Sequence, residues 1–132
     1  MRGVLGRHAD RIYAIFRIVV GFLFMCHGLQ KMFGVLGGEK VASLASVPGL
    51  AGIIELVCGF LVMIGLFASW AAFIASGTMA VAYFMAHQGQ GTLPIQNGGE
   101  LAVVYCFAFL YIAARGAGPW SVARSAGKPG YE

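Results

Sequence analysis

Between Leu56 and Gly99 the chain runs 44 residues without an aspartate, glutamate, lysine or arginine. A helix at a protein surface facing water carries charge along its outer face, so an uncharged stretch this long belongs inside a bilayer. The rest of the chain agrees, with 59% hydrophobic and only 11% charged residues. A spanning helix needs about 20 mostly apolar residues to cross a hydrocarbon core of ~30 Å. Four such segments are predicted, at about residues 12–33, 50–67, 70–86 and 99–114. The expected fold is therefore all-α, an integral membrane four-helix bundle made of one domain, residues 1–132, with no room for a soluble module.

Local signals punctuate these segments. Arg7, His8, Asp10 and Arg11 precede the first, and Gly34, Gly37 and Gly38 end it. Ser46 and Pro48 lie just ahead of the second, which should turn tightly between Gly65 and Ser69 into the third. Arg115, Gly116, Gly118 and Pro119 close the fourth. The first segment is too long for a secretory signal, contains Arg17 and lacks a small-x-small cleavage site, so it should stay as an anchor. Arg2, Arg7 and Arg11 stand before the first span and Arg115, Arg124 and Lys128 after the last. Basic residues collect on the cytoplasmic side, so both termini are expected there. The net charge of +4 follows from that topology, and no nucleic-acid partner is implied.

Against this apolar background five ionisable side chains stand out: His27, Lys31, Glu55, His87 and Glu100. The expected topology puts all five toward the outer side. A charge near the bilayer centre costs roughly 2.5–3.5 kcal/mol on insertion scales, so each needs a partner or a cavity. Lys31 can pair with Glu55 or with Glu100, and the sequence does not choose. His27 and Lys31 are four residues apart on one helical face. Gly52, Glu55 and Gly59 share a face, so the Glu55 carboxylate should point at a neighbouring helix that the glycines let approach. Ser76, Ala80, Tyr83 and His87 form a small, polar face on the third span, and Tyr83 could bond a ligand beneath His87. Arg17, near the cytoplasmic boundary, reads as a packing residue outside the outer group.

Each of these has a structural reading beside the functional one. Lys31 can snorkel to the interface, His87 can be an interfacial histidine, and Glu55 with Lys31 can be a buried pair and nothing more. Asn97-Gly98-Gly99-Glu100 has capping-box spacing, with the Asn97 side chain on the Glu100 N–H and the carboxylate reaching back. Cys26, Cys58 and Cys106 make no C-x-x-C motif or disulfide set, and no metal-ligand spacing is present.

The order Gly21-Phe22, His27-Gly28, Lys31, Phe33-Gly34, Gly52, Glu55, Gly59, His87, Pro94 and Asn97-Gly98-Gly99-Glu100 resembles the DoxX family of small four-helix membrane proteins. Arg17 and Gly116 to Ser121 match further family positions, whereas Ala123 stands where relatives often carry an acidic residue. The resemblance implies a multi-pass protein of the prokaryotic cytoplasmic membrane that serves a membrane oxidoreductase system. Electrons would pass there from a sulfur or thiol donor to quinone. Carried over by position, the site would comprise His27, Lys31, Glu55, His87, Asn97 and Glu100. Glu55, His27 and His87 are then the proton-handling, catalytic residues, and Lys31, Glu100, Asn97 and Tyr83 hold the ligand. Quinone enters as a substrate, because the chain has no G-x-G-x-x-G fingerprint for flavin or nicotinamide. Whether the chain is itself an enzyme stays open. Expected partners are the lipid bilayer and further copies of the chain or other membrane subunits. The alternative is a non-catalytic accessory or structural subunit of a larger membrane complex. A small transporter is less favoured, since no inverted repeat or broken-helix pair is present.

Overall fold

The computed structural model describes residues 3–128, and all regular structure among them is helical. Arg2, counted above among the basic residues, lies outside the described residues. Helix α1 spans Ala9–Phe33 after a short 3-10 turn at Gly6–His8, α2 spans Val47–Ile64, and α3 spans Ala68–Ala82. The third segment does not stop at residue 86 as expected. It continues through a π-helical turn at Tyr83–His87 and a 3-10 turn at Gln88–Gln90. A one-turn helix α4, Pro94–Asn97, leads into α5, Glu100–Arg115, and a last short helix α6 covers Val122–Ser125. Gly6–Phe33, Val47–Ile64 and Ala68–Gln90 are each long and apolar enough to cross a membrane. Helix α5 has 16 residues, about 24 Å at 1.5 Å per residue, so the expected fourth span is shorter than the other three.

The boundaries have local causes. Ser46 caps α2, its hydroxyl accepting from the Gly49 N–H at 3.1 Å. Pro48 sits in the first turn, where its missing N–H costs nothing, so α2 starts at Val47 and not near residue 50. Gly65, with φ of 71°, ends α2 in the left-handed region, and Gly34, at 65°, does the same for α1.

Helices α1 and α2 meet backbone to backbone. A Cβ added at Gly28 would strike the Leu56 backbone nitrogen, and one at Gly21 would lie 2.6 Å from that of Met63. Gly59 faces Met25 in the same way. Because lipid removes the hydrophobic drive for helix association, this close fit supplies van der Waals contact in its place. Replacing Gly28 with leucine should force the helices apart at a cost of about 1–3 kcal/mol or more. Size-exclusion chromatography in mild detergent is expected to show loss of the monodisperse species and an earlier thermal transition.

Helices α3 and α5 pack through small residues and hydroxyls. Ala71, Ala72 and Ala75 are buried against Tyr105, Phe109 and Ile112. Ser76 donates to the Cys106 carbonyl at 2.8 Å and Ser69 to that of Ala113 at 2.9 Å. The Ser76 side of α3 is therefore spent on α5. Phe24 of α1 closes the core edge-on to Phe109, centroids 4.6 Å apart.

At the opposite end from Lys31 the chain is tied by Arg17, whose side chain is fully buried. Its Nη1 donates to the carbonyls of Val62 (2.7 Å) and Met63 (2.8 Å) in the last turn of α2, and its Nη2 to Trp120 (2.8 Å) and Pro119 (3.2 Å). One guanidinium thus adds donors to the last carbonyls of α2, of which Val62 also accepts from the Gly65 N–H, and pins the C-terminal segment beside them. Ala123 is buried with Ala68 and Ala117 in a second small cluster. A carboxylate at that position would have to be desolvated there or paired.

Candidate functional site

The other end of the helices holds a cavity of about 280 Å³ whose walls include His27 and Lys31 from α1, Glu55 from α2, His87 from the π-helical turn, and Tyr105 from α5. Four of the five ionisable residues singled out in the sequence therefore meet in one space. The structure selects Glu55 as the partner of Lys31: Nζ donates to Oε1 at 2.6 Å. Gly52, one turn ahead of Glu55, lets the lysine stem pass, since a Cβ there would lie 2.9 Å from the Lys31 Cβ.

Glu55 is 3% exposed, and its second oxygen, Oε2, is buried with no hydrogen-bond partner among the described residues. An ionised carboxylate offers about four acceptor positions, and the pair with Lys31 uses one. A buried acceptor left unpaired costs roughly 1–3 kcal/mol, more when charged. The pair is thus complete in charge, while Oε2 keeps acceptor capacity that no described residue uses.

His87 is differently employed. Its Nδ1 lies 3.3 Å from the carbonyl of Asn97. A carbonyl only accepts, so this contact places the hydrogen on Nδ1 and leaves Nε2 as an acceptor in the neutral ring. No protein hydrogen bond fixes the tautomer of His27, whose ring stands edge-on to Tyr105 with centroids 5.9 Å apart. Neutral His27 can therefore donate toward the cavity, whereas His87 can donate from Nε2 only when charged.

The remaining sequence candidates surround the cavity without lining it. Asn97 is buried and committed on every side: Nδ2 donates to Tyr83 Oη at 3.0 Å and to the Gly91 carbonyl at 3.2 Å, and Oδ1 accepts from Gly99 N–H at 2.9 Å. The capping box expected at residues 97–100 does not form, because Gly98 (φ 73°) ends α4 and turns Asn97 toward Gly99 instead of Glu100. Glu100 is exposed and is absent from the cavity wall. Asn97 acts instead as a bracket holding the π-helical turn, and hence His87, against the start of α5. Gly99 completes that contact, with room for no Cβ between itself and Tyr83 or His87. π-helical turns of this kind recur at functional sites because the extra residue redirects a side chain.

Tyr105 is the cavity residue that sequence reasoning missed. It is 7% exposed and lines the cavity, and its hydroxyl makes no hydrogen bond among the described residues. The signal was a tyrosine inside an apolar helix, where a buried phenol ordinarily needs a partner. Cys26, Cys58 and Cys106 are free thiols outside the cavity wall. Among the described residues no group of three His, Cys, Asp or Glu side chains is placed to hold a metal ion.

Comparison with known proteins adds to this geometry. The family model DoxX matches residues 12–88, from the first turn of α1 to just past His87. A bacterial protein from Haemophilus influenzae, described as an uncharacterized protein, is 41% identical over 121 residues, which cover 86% of this chain and 90% of the relative. No solved structure matches the chain.

Proposed function

Since this chain belongs to the DoxX family of small integral membrane proteins, we propose that it is the quinone-side subunit of a membrane oxidoreductase system. Electrons come from a sulfur or thiol donor held by a partner, and the cavity is where the quinone ring is bound and protonated. Reducing a quinone to a quinol takes two electrons and two protons, so acids must stand beside its carbonyl oxygens. The observation that carries this reading is the convergence of His27, Lys31, Glu55 and Tyr105 on one cavity. In this reading His27 and Tyr105 donate to the carbonyls, and Lys31 holds negative charge as it develops. Glu55 accepts from the quinol hydroxyl and relays protons. His87, polarised by the Asn97 carbonyl, supplies a second proton route. The same reading sets four helices across a prokaryotic cytoplasmic membrane with both termini in the cytoplasm and the cavity near the outer face.

Native mass spectrometry of the chain released gently from its own membranes tests the proposal. A quinone-mass adduct is expected on the wild-type chain and is expected to fall at least tenfold in Glu55→Gln, which loses a charge-assisted hydrogen bond worth about 1.5–3 kcal/mol. A wild-type chain that carries no quinone, alone or with excess quinone added, would overturn it.

A second reading, a non-catalytic subunit packed beside a larger complex, is favoured by the Lys31–Glu55 pair itself, which already stitches α1 to α2. Stoichiometric partner subunits with no small molecule on this chain would support that reading.

A further inference from the structure

A second, larger hollow of about 510 Å³ lies between α2 and the end of α3, walled by Pro48, Leu50, Ile54, Gly77, Val81 and Met85 among others. It lies within the roughly 300–1,000 Å³ typical of small-molecule sites. Its walls are apolar. Thr78 is on the wall, and its hydroxyl donates to the Ile74 carbonyl at 2.8 Å, so it has no hydrogen left for an occupant and can only accept. Among the described residues, the charged one bordering the groove is Lys31.

The two hollows adjoin. Lys31, Ala51 and Ala82 wall both, with the groove on one side of them and the polar cavity on the other. A molecule that reaches from one to the other must carry a polar head at one end and an apolar chain at the other. The head would meet Glu55, His27 and Tyr105; the chain would meet a wall that is almost wholly apolar.

We infer that the groove between α2 and α3 is the seat of the isoprenoid tail of a quinone whose ring occupies the cavity, and that the ligand enters sideways from the bilayer. The inference rests on the quinone reading above. It extends that reading by assigning residues outside the polar site to recognition of the tail. Gly77 is the key position. A Cβ there would meet no atom within 4 Å, so a larger side chain projects into the groove without displacing the protein, and it lies away from the polar residues.

The test measures binding of two probes to the purified chain in lipid nanodiscs: a benzoquinone bearing a ten-carbon tail and the tail-less tetramethylbenzoquinone. Gly77→Leu is expected to weaken the tailed quinone about tenfold and to leave the tail-less ring within twofold, while Gly77→Ala changes neither. Tailed-quinone binding that is indifferent to Gly77→Leu, with ring binding intact, would overturn the tail seat and spare the cavity reading. Binding of neither quinone to the wild type would overturn both. A ten-carbon phosphocholine that displaces the tailed quinone and shows the same dependence on Gly77 would make the groove an ordinary lipid seat and overturn the inference.

Discussion

Replacing Lys31 with methionine is expected to destabilise the protein by about 3 kcal/mol, and adding Glu55→Gln is expected to restore most of the loss. Removing one partner of a buried pair costs roughly 3–5 kcal/mol because the other charge is left uncompensated. The lower end applies here, since the Lys31 side chain is 34% exposed while that of Glu55 is 4% exposed. Neutralising both removes the uncompensated charge and leaves a polar amide that can still bond within the cavity. Thermal unfolding of the wild type, the two single variants and the double variant in one detergent closes the cycle. The double variant also separates the two functional readings. A structural stitch requires nothing beyond recovered stability, whereas a quinone site requires that ligand binding stay lost in a protein that melts normally. A double variant as unstable as Lys31→Met would show that the pair is not what holds α1 to α2 there.

Arg17→Met should be at least as damaging, by about 3–5 kcal/mol. It removes a guanidinium that is fully buried and takes its donors away from the carbonyls of Met63, Pro119 and Trp120, and from that of Val62, which keeps only the Gly65 N–H at 3.2 Å. The effect should be visible at a distance: with Pro119 and Trp120 released, limited trypsin digestion is expected to cut faster after Arg115 and Arg124. Arg17→Lys should recover only part, because a single ammonium presents three donors from one point and cannot fork between two chain segments. Unchanged melting and proteolysis in Arg17→Met would show that the C-terminal segment is held by its alanine cluster alone.

The helical, membrane-embedded character was legible because an uncharged run of this length admits few alternatives. The position of Glu55 was legible too, since two glycines on its face announced a close neighbour. The choice between Glu55 and Glu100 as partner of Lys31 was not legible. It depends on a three-dimensional detail, the left-handed Gly98, that turns the chain and leaves Glu100 outside. The same detail dissolves the capping box that the residue types alone suggested. Tyr83 and Asn97 were placed near the site, but only the hydrogen-bond geometry distinguishes residues that hold the wall from residues that form it. Tyr105 escaped notice because a single tyrosine in an apolar helix has no spacing pattern, and its importance comes from which neighbours it faces. Arg17 was read as a packing residue, and the carbonyls it collects lie 45 to 103 residues away in sequence.

That sequence separation matters while the protein is being made. Arg17 leaves the ribosome about 100 residues ahead of Pro119 and Trp120, an interval of roughly 5–20 s at ordinary translation speeds. For the first 45 residues of that interval none of its acceptors has been made, and from then until residue 120 only the α2 carbonyls are there to receive it. Closure of the guanidinium over the C-terminal segment is then among the last events of biogenesis.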